Sequence, residues 1–432
     1  MKEIVHPAFE STPSSSPSLP SRPLTKEDSQ TLHDVLIVGG GPVGLLLACL
    51  LGNAGLKTLL LEKRTKLPEQ SMAIGITPPS LGILDRLGLA NQFIDAGIRI
   101  QECHLHGNAG YLGRVTFRGI PAEHQFVLSL PQSRSVEFLF EAASHLPTVS
   151  IRSGVEVTDV RQDERGCFTS ESGGMQICSR FVIACDGTRS TVRRFLPVKV
   201  RGQNYKQHFV MGDFSDESGL EQEAHLFFTK EGSVESFPLP GGLRRWIVQT
   251  DDQRTDFEPG FLGARVQERV GIPLNPSLQL NQNCFTPQWF NCKRYHHGRI
   301  VLCGDAAHAM SPVGGQGMNT GFADAEFLRD VLVAIILGGA KAQPLIANYD
   351  DARRQAAASA IRRADWGMWL GTWRGRSLSM LRDFILRDIL CRPPVAKHLG
   401  PFYAMLTLPN RSLHDLQPLH SFLQSAQPAQ SV

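Results

Sequence analysis

Short apolar runs that end in glycine or in an acidic residue divide the first part of this chain into predicted strands and helices. Residues 35–38 form such a run, and a small, apolar stretch of helical length follows at 43–51. Gly55 ends that stretch, and a second apolar run at 58–61 stops at Glu62. The pattern predicts one complete βαβ unit.

The pattern changes twice further along the chain. A buried-strand run occurs at 181–184 and another at 299–302, and the latter is followed by apolar residues at helical spacing over 319–337. Between 198 and 297 the sequence instead alternates like half-buried strands, with one helix predicted at 261–270. The break predicts that a β-sheet domain interrupts a nucleotide-binding domain.

We therefore predict an α/β fold with a Rossmann-like domain, an inserted β-sheet domain and a C-terminal helical region. The Ser- and Pro-rich N-terminus lacks the apolar core of a signal peptide and is expected to be disordered. The predicted bounds are 1–33 for this extension, 34–105, 129–197 and 298–340 for the discontinuous nucleotide domain, 106–128 and 198–297 for the sheet domain, 341–410 for the helices, and 411–432 for a tail.

Composition narrows the class of protein. The 432 residues are 42% apolar and 20% charged, which suits two globular domains. The net charge is +3 with Lys and Arg spread along the chain, so we expect no nucleic-acid partner, and no apolar stretch is long enough for a transmembrane segment. Nine cysteines without a Cys-x-x-Cys pair indicate reduced thiols and a cytoplasmic location.

The glycines Gly39, Gly41 and Gly44 follow the first predicted strand with the spacing of a dinucleotide fingerprint. The first permits a tight turn, the second lets the backbone approach a pyrophosphate, and the third lets helix pack on strand. Phosphates would lie at the helix start, which includes Pro42 and Val43.

Glu62, at the end of the second predicted strand, is placed to accept hydrogen bonds from a ribose, which favours FAD or NAD over NADP. The neighbouring cations Lys63 and Arg64 either neutralise phosphate or face solvent, and the sequence leaves both possibilities open.

Two further segments carry an acidic residue directly after a buried strand. Asp186 and Gly187 follow the strand at 181–184, where an Asx-type turn is the structural alternative to a binding role. Gly304 and Asp305 follow the strand at 299–302. A glycine-rich loop then opens the next helix and can present bare N–H groups to a carbonyl or an anion: Pro312, Gly314, Gly315, Gln316, Gly317, Met318 and Asn319.

With these three motifs in this order, the chain resembles the flavin-dependent monooxygenases of the para-hydroxybenzoate hydroxylase fold, over about residues 34 to 390. The resemblance implies that Gly39, Gly41, Gly44 and Glu62 hold the ADP half of FAD and that Asp305 binds the ribityl chain. Arg134, or failing that Gln132, would lie near the diphosphate, and Asp186 with Gly187 would serve both FAD and NADPH. The loop from Pro312 to Asn319 would lie beside the isoalloxazine ring, and His308 would support it rather than act in catalysis.

The same resemblance implies that NADPH or NADH reduces FAD and that oxygen then forms a flavin hydroperoxide, which hydroxylates or epoxidises a small hydrophobic or aromatic compound in secondary metabolism. No second fingerprint exists for the nicotinamide, so it would bind transiently. The rivals are a flavin-dependent reductase of isoprenoid double bonds and a non-catalytic flavin-binding protein; the Trp-x-Trp-x-Ile-Pro signature of flavin halogenases is absent. We expect a monomer or homodimer.

The predicted sheet domain offers polar and aromatic candidates for the substrate pocket: Tyr205, His225, Phe227, Arg244 and Trp246. His225 and Phe227 share one strand face, as do Arg244 and Trp246, but the sequence does not say which face meets the flavin. No catalytic base is assigned, and no metal site is expected. In the C-terminal region, Trp366, Trp369 and Trp373 lie at helical spacing near arginines, which predicts a core stripe rather than a membrane-surface helix.

Overall fold

The computed structural model describes residues 23–66, 73–251, 258–312 and 314–408. Its helices are α1 (Lys26–Gln30), α2 (Pro42–Asn53), α3 (Pro78–Arg86), α4 (Ala90–Ala96), α5 (Gln132–Ser144), α6 (Thr191–Arg194), α7 (Phe261–Val270), α8 (Gln316–Ile336), α9 (Ala342–Gly371), α10 (Arg376–Phe384) and α11 (Ala396–Tyr403). None of the helices in these ranges is long and apolar enough to cross a membrane.

The strands, in chain order, are β1 (Leu32–Val38), β2 (Thr58–Glu62), β3 (Gly75–Ile76), β4 (Ile98–Ile100), β5 (Glu102–Gly107), β6 (Gly110–Thr116), β7 (Val127–Ser129), β8 (Val149–Ser153), β9 (Val157–Gln162), β10 (Cys167–Glu171), β11 (Gln176–Ala184), β12 (Val200–Asn204), β13 (His208–Ser215), β14 (Ala224–Thr229), β15 (Gly232–Leu239), β16 (Leu243–Thr250), β17 (Asn283–Phe285), β18 (Gln288–Cys292), β19 (His296–His297), β20 (Ile300–Leu302) and β21 (His308–Ala309).

One sheet of the described chain carries the nucleotide motifs. Its main path runs β19-β20-β11-β1-β2-β8, and the pairs between β20 and β8 are all parallel. The central strands are fully buried aliphatic runs, as expected for a sheet covered on both faces. Because parallel strands end at one edge, β1, β2, β11 and β20 deliver Gly39, Glu62, Asp186 and Gly304 to the same crevice. The α/β class and the βαβ unit are confirmed.

A second, seven-stranded sheet has the order β17-β13-β16-β15-β14-β5-β6. Helix α7 covers one of its faces, where Val210, Val234 and Trp246 form a core with Leu262 and Val266. We call this the α7 face. The opposite face packs against the C-terminal helices through a separate apolar cluster that includes Leu105, Leu226 and Phe237. We call this the cleft face, and alternation along each strand assigns every side chain of the sheet to one of the two.

The predicted domain bounds and the structure differ at several places. The predicted boundary at 128/129 cuts through β7, which pairs with β3 and β4, and the boundary at 297/298 separates β19 from its partner β20. The predicted boundary at 105/106 cuts through β5, which the structure places whole in the seven-stranded sheet beside β14. The predicted disorder of 1–33 does not hold for its last residues, because α1 begins in a capping box at Thr25 and β1 begins at Leu32. Residues 1–22 and the predicted tail at 411–432 lie outside the described ranges.

The expected core stripe of tryptophans is wrong for two of its three members. Trp369 is 57% exposed and Trp366 is 38% exposed, whereas Trp373 packs against the apolar cluster of the cleft face. In α10 the usual arrangement is inverted: Arg382 and Asp383 are buried, whereas the exposed side chains include the apolar Leu378, Met380, Leu381 and Phe384. Sequence periodicity predicts the width of the apolar stripe on a helix, but it does not predict which face of the helix packs against the rest of the protein.

Candidate functional site

The three motif glycines in the turn between β1 and α2 have different roles. A Cβ on Gly39, where φ is +109°, would lie 2.4 Å from the carbonyl oxygen of Cys185, and a Cβ on Gly44 would lie 2.0 Å from that of Gly39. Neither position has room for a side chain. A Cβ on Gly41 would meet nothing within 4 Å. The outer two glycines thus serve the fold, whereas Gly41 faces open space at the N-terminus of α2, which has no side-chain cap.

Glu62 lies beside this turn, as its position at the end of β2 predicts. Its carboxylate accepts a 2.6 Å hydrogen bond from the N–H of Gly40 and a 2.8 Å bond from Nε of Arg64. Burial opposes ionisation, but Arg64 and the two backbone N–H groups outweigh it, so the pKa of Glu62 is lowered. Arg64 is therefore paired with Glu62, while Lys63 is exposed.

Asp186 combines a capping role with a free oxygen. Its Oδ2 accepts hydrogen bonds from the N–H groups of Thr191 and Val192, at 2.7 and 3.1 Å, and so caps α6. Its Oδ1 is buried and has no partner among the described residues. Gly187 follows with φ +80°, and the whole turn packs against Gly39. The structural alternative and a binding role are both compatible with this geometry, because one oxygen remains available.

A fully buried network fixes the turn after β20. Asp324 in α8 accepts a 2.6 Å bond from Nε2 of His308, a 2.6 Å bond from Nε of Arg353 and a 3.1 Å bond from the N–H of Gly304. Burial opposes the charge of Asp324, but His308 and Arg353 outweigh burial and lower its pKa. His308 thus helps to fix the turn after β20, whereas the resemblance implied support of the loop from Pro312 to Asn319.

Asp305 occupies the tip of that turn, directly after Gly304. Its side chain keeps accessible surface although protein surrounds it closely enough for burial to raise its pKa. Both observations hold for a carboxyl group that faces an interior cleft. No described residue hydrogen-bonds to it, so its oxygens are free to accept donors from a ligand.

The loop before α8 presents a second uncapped helix start. Gly314 and Gly315 adopt left-handed φ values of +80° and +64°, and α8 begins at Gln316 without a side-chain cap. Oε1 of Gln316 is buried without a partner among the described residues, and a Cβ on Gly317 would meet nothing within 4 Å. Pro312 is exposed, Met318 is buried, and residue 313 lies outside the described ranges.

Asn319 ties this loop to the crevice. Its Nδ2 donates to the carbonyl oxygens of Gly315 and Gly75, at 2.7 and 2.9 Å, and its Oδ1 accepts a 3.0 Å bond from the N–H of Thr77. The side chain therefore positions the loop, which its place in a glycine-rich motif did not predict.

Gln132 and Arg134, the two candidates for a diphosphate contact, differ in how strongly other residues hold them. Gln132 donates its N–H to Ala73 and accepts from the N–H of that residue through Oε1, which ties it to the segment before β3. Arg134 is half exposed, pairs with Glu137 and lies over the ring of Phe138. Arg134 is therefore a charged, half-exposed side chain that could contact an anion, whereas Gln132 is held by the segment before β3.

The cleft face of the seven-stranded sheet adjoins the α8 loop. A Cβ on Gly314 would lie 3.7 Å from the ring of Tyr403 in α11, and Tyr403 belongs to the apolar cluster on that face. On the other side, Oγ of Ser129 in β7 donates 2.6 Å to the carbonyl of Pro238 in β15, while β7 pairs with β3 beside Asn319. The cleft face therefore borders both the α8 loop and the strand that Asn319 binds.

The predicted pocket residues lie elsewhere. His225, Phe227, Arg244 and Trp246 share the α7 face, where Trp246 is core and Arg244 is fully buried against Asp216. Tyr205 precedes β13 and hydrogen-bonds to Asp365 in α9. The shared faces were predicted correctly, but the structure does not bring this set to the cleft.

The residues that do line the cleft face beside the loop include Cys103, Glu235 and Tyr403, and sequence reasoning missed all three. Burial raises the pKa of Glu235 to about 7 and those of Cys103 and Tyr403 to about 12. A glutamate one residue after a buried valine in a predicted strand was the available signal, but alternation alone could not say that its face turns toward a ligand.

These features fit FAD. The open Gly41 and the uncapped start of α2 suit a pyrophosphate, and Glu62 suits the adjacent ribose. Asp305 has no hydrogen-bond partner among the described residues and follows Gly304, where a Cβ would lie 3.1 Å from Val43 at the start of α2, which suits a polyol chain that continues from the pyrophosphate. Within the described ranges, no group of three or more His, Cys, Asp or Glu residues could hold a metal ion.

Comparisons with known proteins point the same way. A family model described as an FAD binding domain matches residues 33–364. The rifampicin monooxygenase of Streptomyces venezuelae is 29% identical over 76% of this chain and 70% of that protein. The para-nitrophenol 4-monooxygenase of Pseudomonas sp. strain WBC-3 is 30% identical over 73% of this chain and 81% of that protein. The crystal structure of a p-nitrophenol 4-monooxygenase from Pseudomonas putida DLL-E4 superposes with a TM-score of 0.80 at 25% identity, covering 87% of this chain and 98% of the other.

Proposed function

This chain belongs to the FAD-binding monooxygenases of the para-hydroxybenzoate hydroxylase fold, and on that premise we propose that it uses NAD(P)H and O2 to insert one oxygen atom into a small aromatic or polyketide-like compound. It is a flavin-dependent monooxygenase with FAD as its cofactor. The carrying observation is that two uncapped helix starts and the unpartnered Asp305 converge on one crevice, whose far wall is the largely apolar cleft face.

We assign roles to the chain's own residues on this geometry. FAD supplies the electron transfer and oxygen activation when it is bound. The N–H groups at the starts of α2 and α8 would stabilise negative charge on the diphosphate and on the ring, respectively. Asp305 would orient the ribityl chain, and Asn319 would hold the loop at the ring. The cleft face, with Leu226 and Phe237, would exclude water and orient the substrate.

Flavin content tests the cofactor assignment. The purified protein should show flavin absorbance, and added FAD should raise the melting temperature by mass action. Arg134→Ala should weaken FAD binding more than Arg161→Ala, an exposed arginine of β9 on the far part of the sheet that serves as the matched control. A colourless protein whose spectrum and melting temperature do not change when FAD is added would contradict the proposal.

Substrate-stimulated turnover tests the reaction. NADPH oxidation should be matched by oxygen uptake in the presence of a suitable aromatic compound, and the product should be heavier by one oxygen atom. A screen across phenols, polyketides and terpenoids would identify the class. The rivals, an isoprenoid reductase and a non-catalytic flavin-binding protein, are not favoured because the rifampicin and para-nitrophenol relatives are monooxygenases. A reductase would saturate its substrate without oxygen uptake.

We also propose a cytoplasmic location, a place in secondary metabolism, and a monomer or homodimer. None of the cysteines in the described ranges forms a disulfide bond, which supports a reducing compartment. Sedimentation of the holoenzyme across concentrations would establish the oligomeric state.

A further inference from the structure

Glu235 occupies the middle of the cleft face. It lies on β15, opposite Leu226 of β14 and Ile247 of β16. The same row continues to Leu105 on β5, and all these side chains point to one side of the sheet. A single carboxyl group therefore projects from an otherwise aliphatic row.

The carboxyl group has no partner in the part of the chain that the structure describes. No described residue hydrogen-bonds or ion-pairs with it, and burial alone raises its pKa, to about 7. Glu235 is nevertheless only partly buried, and we call the space beside it the hollow. A buried carboxyl group without a partner is costly to the fold, which is the pattern expected of a group retained for a ligand.

The hollow adjoins the proposed flavin side of the site. Besides burial, the charge of Glu235 contributes to the raised pKa of the Cys103 thiol, and Cys103 contributes to the raised pKa of Tyr403. Tyr403 in turn contacts the Gly314 position of the α8 loop. This chain of neighbours leads from Glu235 to the place where the flavin ring is proposed.

Glu235 is the group of this hollow that changes charge near neutral pH. The pKa of Cys103 on β5 and that of Tyr403 on α11 are raised to about 12, and the pKa of Cys391, after α10, is raised as well, so all three stay neutral. The remaining charged groups near this face have partners: Arg245 of β16 pairs with Asp213 of β13, and Arg382 of α10 pairs with Asp383. Glu223, which precedes β14 and also influences Cys103, has a pKa raised by burial and accepts hydrogen bonds from the N–H groups of Gln101 and Glu102.

We propose that Glu235 selects the substrate by accepting a hydrogen bond from a hydroxyl group on an aromatic ring, so that the enzyme takes phenols in preference to their methyl ethers. This inference rests on the proposed monooxygenase function. The aliphatic row accommodates the flat ring, and the lone acceptor requires a donor at one position. A site with a buried acceptor rejects an analogue that lacks the donor, because the acceptor is then left unpaired. Ionisation of Glu235 strengthens the bond, since a carboxylate accepts more strongly than a carboxylic acid.

Equilibrium dialysis of the FAD-loaded enzyme tests this without turnover. The probes are 2-naphthol and 2-methoxynaphthalene, and phenol and anisole for a smaller pocket. Because phenols with ordinary pKa values near 10 stay protonated at neutral pH, a pH effect reports the protein. The enzyme should bind 2-naphthol about ten- to hundredfold more tightly than its ether at pH 8, and the preference should shrink toward pH 6.

Matched variants locate the effect. Glu235→Leu should bind phenol and ether equally, and Glu235→Gln should retain a weaker preference that no longer varies with pH. Glu231→Gln, an exposed glutamate at the turn before the same strand that pairs with Lys230, should behave like the unmodified enzyme. Flavin content and melting temperature verify that each variant is folded and loaded.

Each outcome decides the proposal. Equal binding of phenol and ether by the unmodified enzyme, failure of both pairs to bind, or a preference that survives Glu235→Leu would overturn it. These results are separable from the proposed function: an enzyme that couples NADPH oxidation to oxygen uptake without hydroxyl preference is a monooxygenase in which Glu235 has no such role. A protein that takes up no FAD would instead contradict the monooxygenase assignment, and dialysis of the protein as purified would still show whether Glu235 selects phenols.

Discussion

Nε2 of His308 lies 2.6 Å from Oδ2 of Asp324, and neither side chain has any solvent-exposed surface. Asp324 also pairs with the buried Arg353 and accepts the N–H of Gly304. One carboxylate of α8 therefore determines the position of the turn that carries Asp305. The site depends on a residue that does not itself reach the crevice.

Removing the charge of Asp324 should be strongly destabilising. Asp324→Asn leaves Arg353 buried and charged without its partner, which costs about 3–5 kcal/mol in comparable buried pairs. Urea denaturation should show this loss. Asp351→Asn, which disrupts an exposed pair with Arg354, should cost less than about 1 kcal/mol. Equal effects of the two substitutions would contradict the assigned role of the network.

Two alanine substitutions in the glycine turn should separate fold from binding. Gly44→Ala places a Cβ against the backbone of Gly39 and should destabilise by about 2 kcal/mol or more, or prevent folding. Gly41→Ala meets only open space, so its free energy of unfolding without FAD should change by about 0.5 kcal/mol or less. Its FAD affinity should nevertheless fall, because the methyl group occupies the path of the pyrophosphate. Normal FAD affinity in Gly41→Ala would show that the pyrophosphate does not pass close to Gly41.

Asp305→Ala should lose flavin. A hydrogen bond to a charged group contributes about 1.5–3 kcal/mol, which corresponds to an FAD affinity about ten- to hundredfold weaker. Flavin titration followed by protein fluorescence would measure this. Asp305→Asn keeps an acceptor oxygen, so its FAD affinity should lie between those of the unmodified protein and Asp305→Ala. An Asp305→Ala protein that is purified fully loaded with FAD would remove Asp305 from the site.

Glu235 should make the stability of the substrate-free protein depend on pH. Its folded pKa is raised by burial to about 7, above the value of an unfolded glutamate, so unfolding releases a proton between these pH values. The stability contributed by the protonated form is complete below about pH 4 and is lost as pH rises through about 7.

The comparison with Glu235→Gln isolates this loss. The variant cannot ionise, so it should gain stability relative to the unmodified protein as pH rises, by roughly 3 kcal/mol at pH 9. Chemical denaturation at pH 5.5, 7 and 9 would measure the gap. Glu231→Gln should run parallel to the unmodified protein. Parallel curves for Glu235→Gln as well would mean that the carboxyl group is hydrated in the folded state.

The cofactor half of the site could be predicted from the sequence because its chemistry is local. Turns after buried strands need Gly39 and Gly44 for steric reasons within a few residues, and parallel strands bring their ends together whatever lies between them. The same logic predicted Asp305. It could not predict Asp324, since a buried acid in the middle of a helix shows its role only through the partners that tertiary packing supplies.

The substrate half could not be predicted in this way. Alternation correctly grouped His225 with Phe227, but only the packing of α7 on that face shows that it is core. Glu235 pairs across the strands with Leu226, the residue between His225 and Phe227, and therefore lies on the opposite, cleft face. The inversion of α10, with Arg382 inside and Phe384 outside, has the same origin: a periodic pattern specifies two faces and leaves their environments to the rest of the chain.

The separation between Gly41 and Asn319 along the chain has a consequence for synthesis in the cell. The ribosome releases the first helix start long before the second, and the entire seven-stranded sheet emerges between them. A nascent chain can hold at most the ADP end of the cofactor until the last quarter of the protein has been translated. Oxygen-activating chemistry therefore cannot begin on a partly made chain, and capture of the flavin ring coincides with completion of the fold.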